Sequence, residues 1–519
     1  MEKSLLSRTF GVLIALGCGA LMLACGGAID QSRVTGSVAQ TANPLVAQYT
    51  VSSGCIGEAT VEFGPDTSYG RSTSSVPVVG GYKAINILVA GMRASTMYHM
   101  RAQVTCLDSG QPISTPDTTF TTGALPSSVP FPQITVSRPS PSKTSPENSG
   151  IELVDIVAQG STDMMQAFFT DRDANPIWYY DVGANNYPFT MKLLPTGHVI
   201  LTIDGTTISM LREVDLAGNT VREMEIGELA GKTKAAGYDF RPASYHHDIC
   251  VLPNGHLVVL VQTFKNFTDL PGYPGTTQVV GDALIDLDQN WNPVWSWNTF
   301  DRLDINRHLY GLPDWTHSNA VVYDPSDGNL LLSMRHQSWV IKINYANGTG
   351  TGNILWHLGY QGDFSLTENG IPTDDPSEWF SFQHFPSMVS QNGTQTTLAV
   401  WDNGDFRVLD ANGDVCQNNC YSRAVLFQYN QDSMVANIVW QYLPGLFSLW
   451  GGSINQLENS NVEFDLNAPF PGNTIFASEV QEVTQTSSPQ VVWKMDIAAV
   501  NAYRAYRVPS LYPGVTWQY

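Results

Sequence analysis

Three histidine-bearing phrases stand at matching places in the chain, each ahead of a turn. They are Tyr245-His246-His247-Asp248 before Pro253-Asn254-Gly255, Thr316-His317-Ser318-Asn319 before Ser326-Asp327-Gly328, and Gln383-His384-Phe385-Pro386 before Gln391-Asn392-Gly393. Arg335 follows the second turn at the end of the next apolar run. A single histidine of this kind usually pins a loop, but three in matching positions beside an arginine suggest a shared pocket. Two chemistries suit such a pocket. Imidazole is the commonest metal ligand, so the histidines could hold an ion. A neutral imidazole can also attack an anionic group while cationic neighbours hold its oxygens. Arg335 favours the second, because a guanidinium repels a nearby metal and clamps an oxyanion. Asp248 is the one nearby carboxylate for a metal triad, and it is out of register. His198 and His256 follow turn glycines and read as surface residues, and His99 falls in a separate N-terminal region.

The elements that must position these side chains are strands. Between His317 and Arg335 lie an apolar run, Ala320 to Tyr323, the turn Asp324-Pro325-Ser326-Asp327-Gly328, and a second run from Asn329 to Met334. Asp-Pro and Asp-Gly form tight turns, so this is a hairpin that brings His317 and Arg335 to one rim. Similar turns recur, and their glycines step by 58, 73 and 65 residues (197 to 255 to 328 to 393). A tryptophan strand recurs as well, around Trp178, Trp295, Trp356, Trp440 and Trp493. Four-stranded units at this period make about six blades of a β-propeller, with equivalent positions facing the axis. On that reading His246 or His247, His317 and His384 converge, and no stretch of the region reads as an amphipathic helix.

With 519 residues, 44 Gly, 30 Pro and only 14% charged residues, the composition suits an all-β chain of several domains. A formal net charge of −21 argues against nucleic acid or an anionic membrane surface as a partner. Residues 44–123 alternate in short strands, with Ala59-Thr60-Val61-Glu62-Phe63-Gly64 and Thr96-Met97-Tyr98 resembling a fibronectin-III or Ig-like β-sandwich. Residues 124–150 are rich in Pro and Ser and read as a stiff linker to a domain at 151–519. Residues 1–25 carry Lys3 and Arg8, then an apolar run up to Ala24-Cys25, which predicts a signal peptide and export. The expected address is the periplasm or cell envelope, with a lipid on Cys25 attaching the chain to a membrane, or else secretion. In an oxidising compartment Cys55 pairs with Cys106 and Cys416 with Cys420, leaving Cys250.

Taken together, YHHDICVLPNG, THSNAVVYDPSDGNLLLSMRHQS, ILWHLG, FQHFP with WDNG, YSRAV and YRAYRVPSLYPG resemble the bacterial arylsulfate sulfotransferase family, which uses no nucleotide sulfate donor. The resemblance implies a six-bladed propeller behind a small β domain. It also implies transfer of a sulfuryl group from a phenolic sulfate ester to an acceptor phenol, without a cofactor or metal. It places the nucleophile at His384, the H-x-N pair at His317 and Asn319, the arginine at Arg335, and the last histidine at His246, with His247 in reserve. Cys416 and Cys420 do not clearly match the family's pocket cysteine pair. A homodimer is compatible with this reading. Two other classes remain: a non-catalytic cell-surface binding propeller, and a metal-dependent hydrolase or lyase using the same histidines.

Overall fold

The computed structural model describes residues 34–108, 110–140, 147–159, 164–373, 375–405, 421–469 and 476–517. The expected leader, Cys25 and the pair Cys416 and Cys420 lie outside these. Among the described residues the chain forms eight sheets, and its one α-helix is Ile226–Ala235. The fold is all-β.

Two sheets belong to the N-terminal region. One joins Val34–Gln40, Ala47–Ser53 and Ile85–Val89; the other is built on Ile56–Gly64 and Met97–Cys106. Their strands bury alternate residues, as in Ala47–Ser53, and the buried faces share one core around Tyr49, Val61, Phe63 and Val104. Cys55 and Cys106 are disulfide-bonded, as expected, and Cys250 is a buried free thiol.

The other six sheets follow in chain order, each antiparallel over its four inner strands; in the fifth, Ser365–Glu368 adds to Val435–Tyr442 in parallel. The innermost strands are Val500–Val508, Asn186–Leu193, Ser244–Val251, Ser318–Asp324, His384–Asn392 and Ser453–Gln456. Each touches the next, and the last touches the first, so they close a ring. The C-terminal strand Val500–Val508 completes the first sheet by pairing with Ile151–Gln159. Strands inside the ring are covered on both faces, which is why Asn329–Met334 is buried throughout instead of alternating.

The recurring tryptophans all lie on the outer side of their sheets and fasten each sheet to a neighbour. Their indole N–H groups donate from Trp178 to Leu216 O (2.8 Å), Trp295 to Gly350 O (3.2 Å), Trp440 to Thr486 O (3.1 Å) and Trp493 to Arg172 O (3.0 Å). The acceptors sit at turns of the next sheet around, and Trp493 links the last sheet back to the first.

Two expectations differ from what is seen. The stretch read as a linker contributes a strand, Ile134–Ser137, paired with Val491–Ala498 at the outer edge of the last sheet. The helix Ile226–Ala235 carries too narrow an apolar face to show as a pattern, since only Leu229 and Thr233 are buried. Glu228 in its first turn and Lys232 and Lys234 in its last suit its dipole.

A C-terminal strap, residues 509–517, ties the N-terminal sheets to the ring. The Trp517 ring lies edge-on to Phe63 at 5.7 Å, and its N–H donates to Ser72 O at 3.0 Å. At Gly91, whose φ is +96°, any Cβ would stand 2.3 Å from that ring, so only glycine fits. Tyr512 accepts from Ala90 N at 2.7 Å and donates to Leu88 O at 2.8 Å.

Candidate active site

Each histidine phrase stands at the start of an innermost strand, and one backbone device turns each of them inward. His247 (φ 48°), His317 (φ 45°) and Phe385 (φ 41°) all take the left-handed conformation. For residues with a Cβ this costs about 1–3 kcal/mol apiece and persists only where the surroundings enforce it. At the same places the pairing slips, between Tyr245 and Ile249, Ser318 and Ala320, and His384 and Ser387. Such bulges break the in–out alternation. They direct His246, His247, His317 and His384 at a cavity of about 490 Å3.

Arg335 joins them there. Its backbone N–H donates to His317 O at 3.2 Å, so the hairpin does bring the two to one rim. Both histidines of the His246-His247 pair line the cavity; His247 is the more engaged, with its Nε2 at 3.1 Å from His317 Nε2. Asn319 is fully buried outside the cavity lining. Its Nδ2 donates to Gln383 O at 2.7 Å, which steadies the peptide next to His384.

Hydrogen bonds assign the nitrogens of His384. Asn403 Nδ2 donates to Ser448 O (2.8 Å) and Gly451 O (3.2 Å), so its Oδ1 is the atom turned toward His384. His384 Nδ1 lies 2.8 Å from that oxygen and 3.1 Å from Phe382 O, two acceptors, and therefore carries the proton. Nε2 holds the lone pair and accepts from Gly451 N at 3.2 Å. Burial, and after it the Arg335 charge, holds the His384 pKa well below the usual imidazole range. The ring is neutral at neutral pH.

His317 Nδ1 is 2.6 Å from Asp314 Oδ2. Burial would raise the Asp314 carboxyl, but the bond to His317 and the charge there outweigh it and hold the pKa at about 2. Burial lowers the His317 pKa more than Asp314 raises it, and burial with the charges of His246 and His317 lowers that of His247. Asp314, His317 and His247 thus form a chain along which a proton can pass.

Arg335 is oriented from behind. His336 Nε2 accepts from Arg335 Nη1 at 2.7 Å, while His336 Nδ1–H donates to Asp314 O at 2.8 Å. Burial, then the charges of His317 and Arg335, drops the His336 pKa to about 3. Arg335 Nη2 reaches Leu449 O at 3.2 Å and Asp405 at 3.4 Å, and its Nε–H is buried without a hydrogen-bond partner.

Asp248 is committed elsewhere. It binds Lys192 Nζ at 2.7 Å, Arg504 Nη1 at 2.8 Å and Val321 N at 2.8 Å. Asp248 is therefore not free to complete a metal triad with the histidines. Nitrogens of His246, His247 and His317 come within 4.8 Å of one another, a spacing that could hold an ion through imidazoles alone. A second grouping, Asp314, His317 and His336, is unsuited, because both His336 nitrogens are already hydrogen-bonded.

Aromatic side chains, Tyr187, Phe189, Trp450 and Tyr503, form much of the remaining wall, and Asp204 adds a carboxylate. Asp314, His336, Asn403 and Tyr503 were not singled out from sequence, though each lies in or beside a quoted phrase: DWTH, MRHQS, WDNG and YRAYRV.

A family model described as arylsulfotransferase (ASST) matches residues 139–507. The arylsulfate sulfotransferase AssT of Escherichia coli O6:H1 is 28% identical over 143 residues, covering 25% of this chain and 23% of that protein. The AssT of Lelliottia amnigena is 28% identical over 142 residues, with the same 25% and 23% coverage. The matched stretch therefore spans about a quarter of these curated relatives. Among solved structures, a putative 6-phosphogluconolactonase from Bacteroides fragilis NCTC 9343 is 10% identical and superposes with a TM-score of 0.35, covering 87% of this chain and 98% of that one.

Proposed function

Because this chain belongs to the arylsulfotransferase family, we propose that it moves a sulfuryl group from a phenolic sulfate ester to an acceptor phenol through a sulfohistidine at His384. The observation that carries this reading is the fixed tautomer of His384, whose Nε2 lone pair belongs to a neutral ring beside Arg335. That lone pair forms an N–S bond as the S–O(aryl) bond breaks, and the bond's electrons leave on the phenolate oxygen. The transition state is loose, with charge on the sulfuryl and leaving oxygens. Arg335 Nε–H, an unpartnered donor, meets one of those oxygens. Gly451 N–H loses its acceptor as Nε2 is consumed and is free to turn to another. The imidazolium form of His317, which Asp314 favours against burial, gives a proton to the phenolate. The acceptor phenol reverses the steps: its proton goes to the same imidazole, its oxygen bonds sulfur, and the N–S pair returns to His384. Ping-pong kinetics follow. The aromatic wall excludes the water that would hydrolyse the intermediate.

The ring of six sheets and its C-terminal closure support a six-bladed β-propeller at 151–519. The shared core of the two N-terminal sheets supports an Ig-like sandwich over 44–123, to which Val34–Gln40 adds a further strand. Export, with or without a lipid on Cys25, belongs to the proposal on the leader sequence alone.

The test is release of 4-nitrophenol from 4-nitrophenyl sulfate, with and without phenol, by wild type and His384→Ala, with and without EDTA. Phenol-dependent release lost in the variant and indifferent to EDTA is expected. No release from either protein would point to a binding propeller, and equal release from both would remove His384 from the reaction. Release abolished by EDTA would favour the metal reading, for which the gathering of His246, His247 and His317 is the supporting observation.

A further inference from the structure

The closing phrase YRAYRV enters no step above, yet its first residue reaches the cavity: Tyr503 lines it and is 2% exposed. Its ring stacks on His247 at 4.9 Å and 19°, and lies edge-on to His384 at 6.0 Å and to Phe189 at 6.0 Å. The hydroxyl is buried and has no hydrogen-bond partner. A buried donor left unpaired destabilises a fold, and nearby tyrosines avoid it. Tyr506 donates to Met191 O at 3.0 Å and Tyr512 to Leu88 O at 2.8 Å. Tyr245 also lacks a partner, but it is outside the cavity lining. Two guanidinium groups are near Tyr503: that of Arg504, paired with Asp248, is 5.2 Å from its ring, and Arg335 lines the same cavity. Burial also pushes the phenol pKa above its usual range, so the hydroxyl keeps its proton.

We propose that the Tyr503 hydroxyl is a catalytic donor that holds a non-bridging oxygen of the sulfuryl group during transfer, an inference that rests on the sulfuryl-transfer reading of this site. The group is an oxyanion, the cavity is lined by Arg335 and four imidazoles, and this hydroxyl is a proton-bearing donor with nothing else to bind. The tyrosine keeps its proton throughout. His384 Nε2 bonds to sulfur, the aryl oxygen departs with the S–O pair, and the hydroxyl tightens on an oxygen whose charge grows in the transition state.

Tyr503→Phe tests this, because it keeps the ring and removes only the hydroxyl. With 4-nitrophenyl sulfate as donor and phenol as acceptor, kcat/KM is expected to fall about 10²–10³-fold, mainly through kcat. The same factor is expected with phenyl sulfate, a poorer leaving group. The thermal midpoint should stay or rise, since the lost hydroxyl bonds to nothing in the protein. Unchanged kcat/KM would overturn the proposal. So would a loss accompanied by a lower midpoint, because the hydroxyl would then serve the fold. A markedly larger loss with phenyl sulfate would also overturn it, by placing the hydroxyl on the bridging oxygen. If wild type shows no phenol-dependent release, the sulfuryl-transfer reading fails by itself. Calorimetric titration with inorganic sulfate then decides on Tyr503. Weaker binding by the variant keeps the oxyanion contact, whereas equal binding, or none by either protein, overturns it.

Discussion

Asp314 sets how readily His317 can give up or keep a proton. Its carboxylate is 2.6 Å from His317 Nδ1 and raises the His317 pKa against the larger lowering by burial. Asp314→Asn keeps an acceptor oxygen but removes the charge, so the His317 pKa falls further. If His317 protonates the leaving phenolate, the alkaline limb of the pH–rate profile moves to lower pH. The kcat for a poor leaving group such as phenyl sulfate should drop by about 10- to 100-fold, and that for 4-nitrophenyl sulfate by less. A pH–rate series on the two donors checks this. The residues whose types suit the proposed chemistry, His317, His384 and Arg335, were legible in sequence as histidines ahead of turns and an arginine after one. Those that act by placing them were not. Asn403 and Tyr503 bear no signature that sets them apart from any other Asn or Tyr, and only the fold brings Tyr503 to the ring of His384.

At the scale of elements, the bulges decide which side chains enter the cavity, and they are why His246 and His247 could not be told apart beforehand. Alternation assigns one residue in two to a face, but His247 stands in a left-handed turn where alternation fails, and both rings reach the site. Hairpins were legible because Asp-Pro and Asp-Gly specify turns locally. The tryptophan strands were legible as a repeat, but their acceptors were not, since Trp493 donates to a carbonyl 321 residues away. The strained strand Ser244–Val251 is held to its neighbours by Asp248, which joins Lys192, Arg504 and the backbone of Val321. Asp248→Ala leaves Arg504, whose side chain is 1% exposed, without its charge partner. A loss of about 3–5 kcal/mol is expected from such a break, read as a lower midpoint in urea unfolding.

Over the whole molecule, two sets of buried groups pull the pH dependence of stability in opposite directions. His247, His317, His336 and His384 have lowered folded pKa values. Below about 6.5 the unfolded chain takes up protons that the folded one does not, so their contribution is lost as pH falls. Buried Asp155, Glu463 and Asp465 are raised, chiefly by burial, Asp465 to about 7. Their contribution is present at acid pH and is lost as pH rises through those folded values. Asp465→Asn keeps an acceptor for Ser453 Oγ and abolishes one of these titrations. Thermal midpoints should fall between pH 5 and 7 less steeply in the variant than in wild type, a difference of about 3 kcal/mol over that window, with the two curves parallel above it. The closure of the ring by Val500–Val508 has a further consequence, for biosynthesis. That strand carries Tyr503 and Arg504 into the centre, and it leaves the ribosome after the other five inner strands. Until it emerges, a nascent chain holds five inner strands around a gap, and a chain ended before residue 500 lacks both Tyr503 and the strand that pairs with Ile151–Gln159. The cavity is complete only once Val500–Val508 has been made.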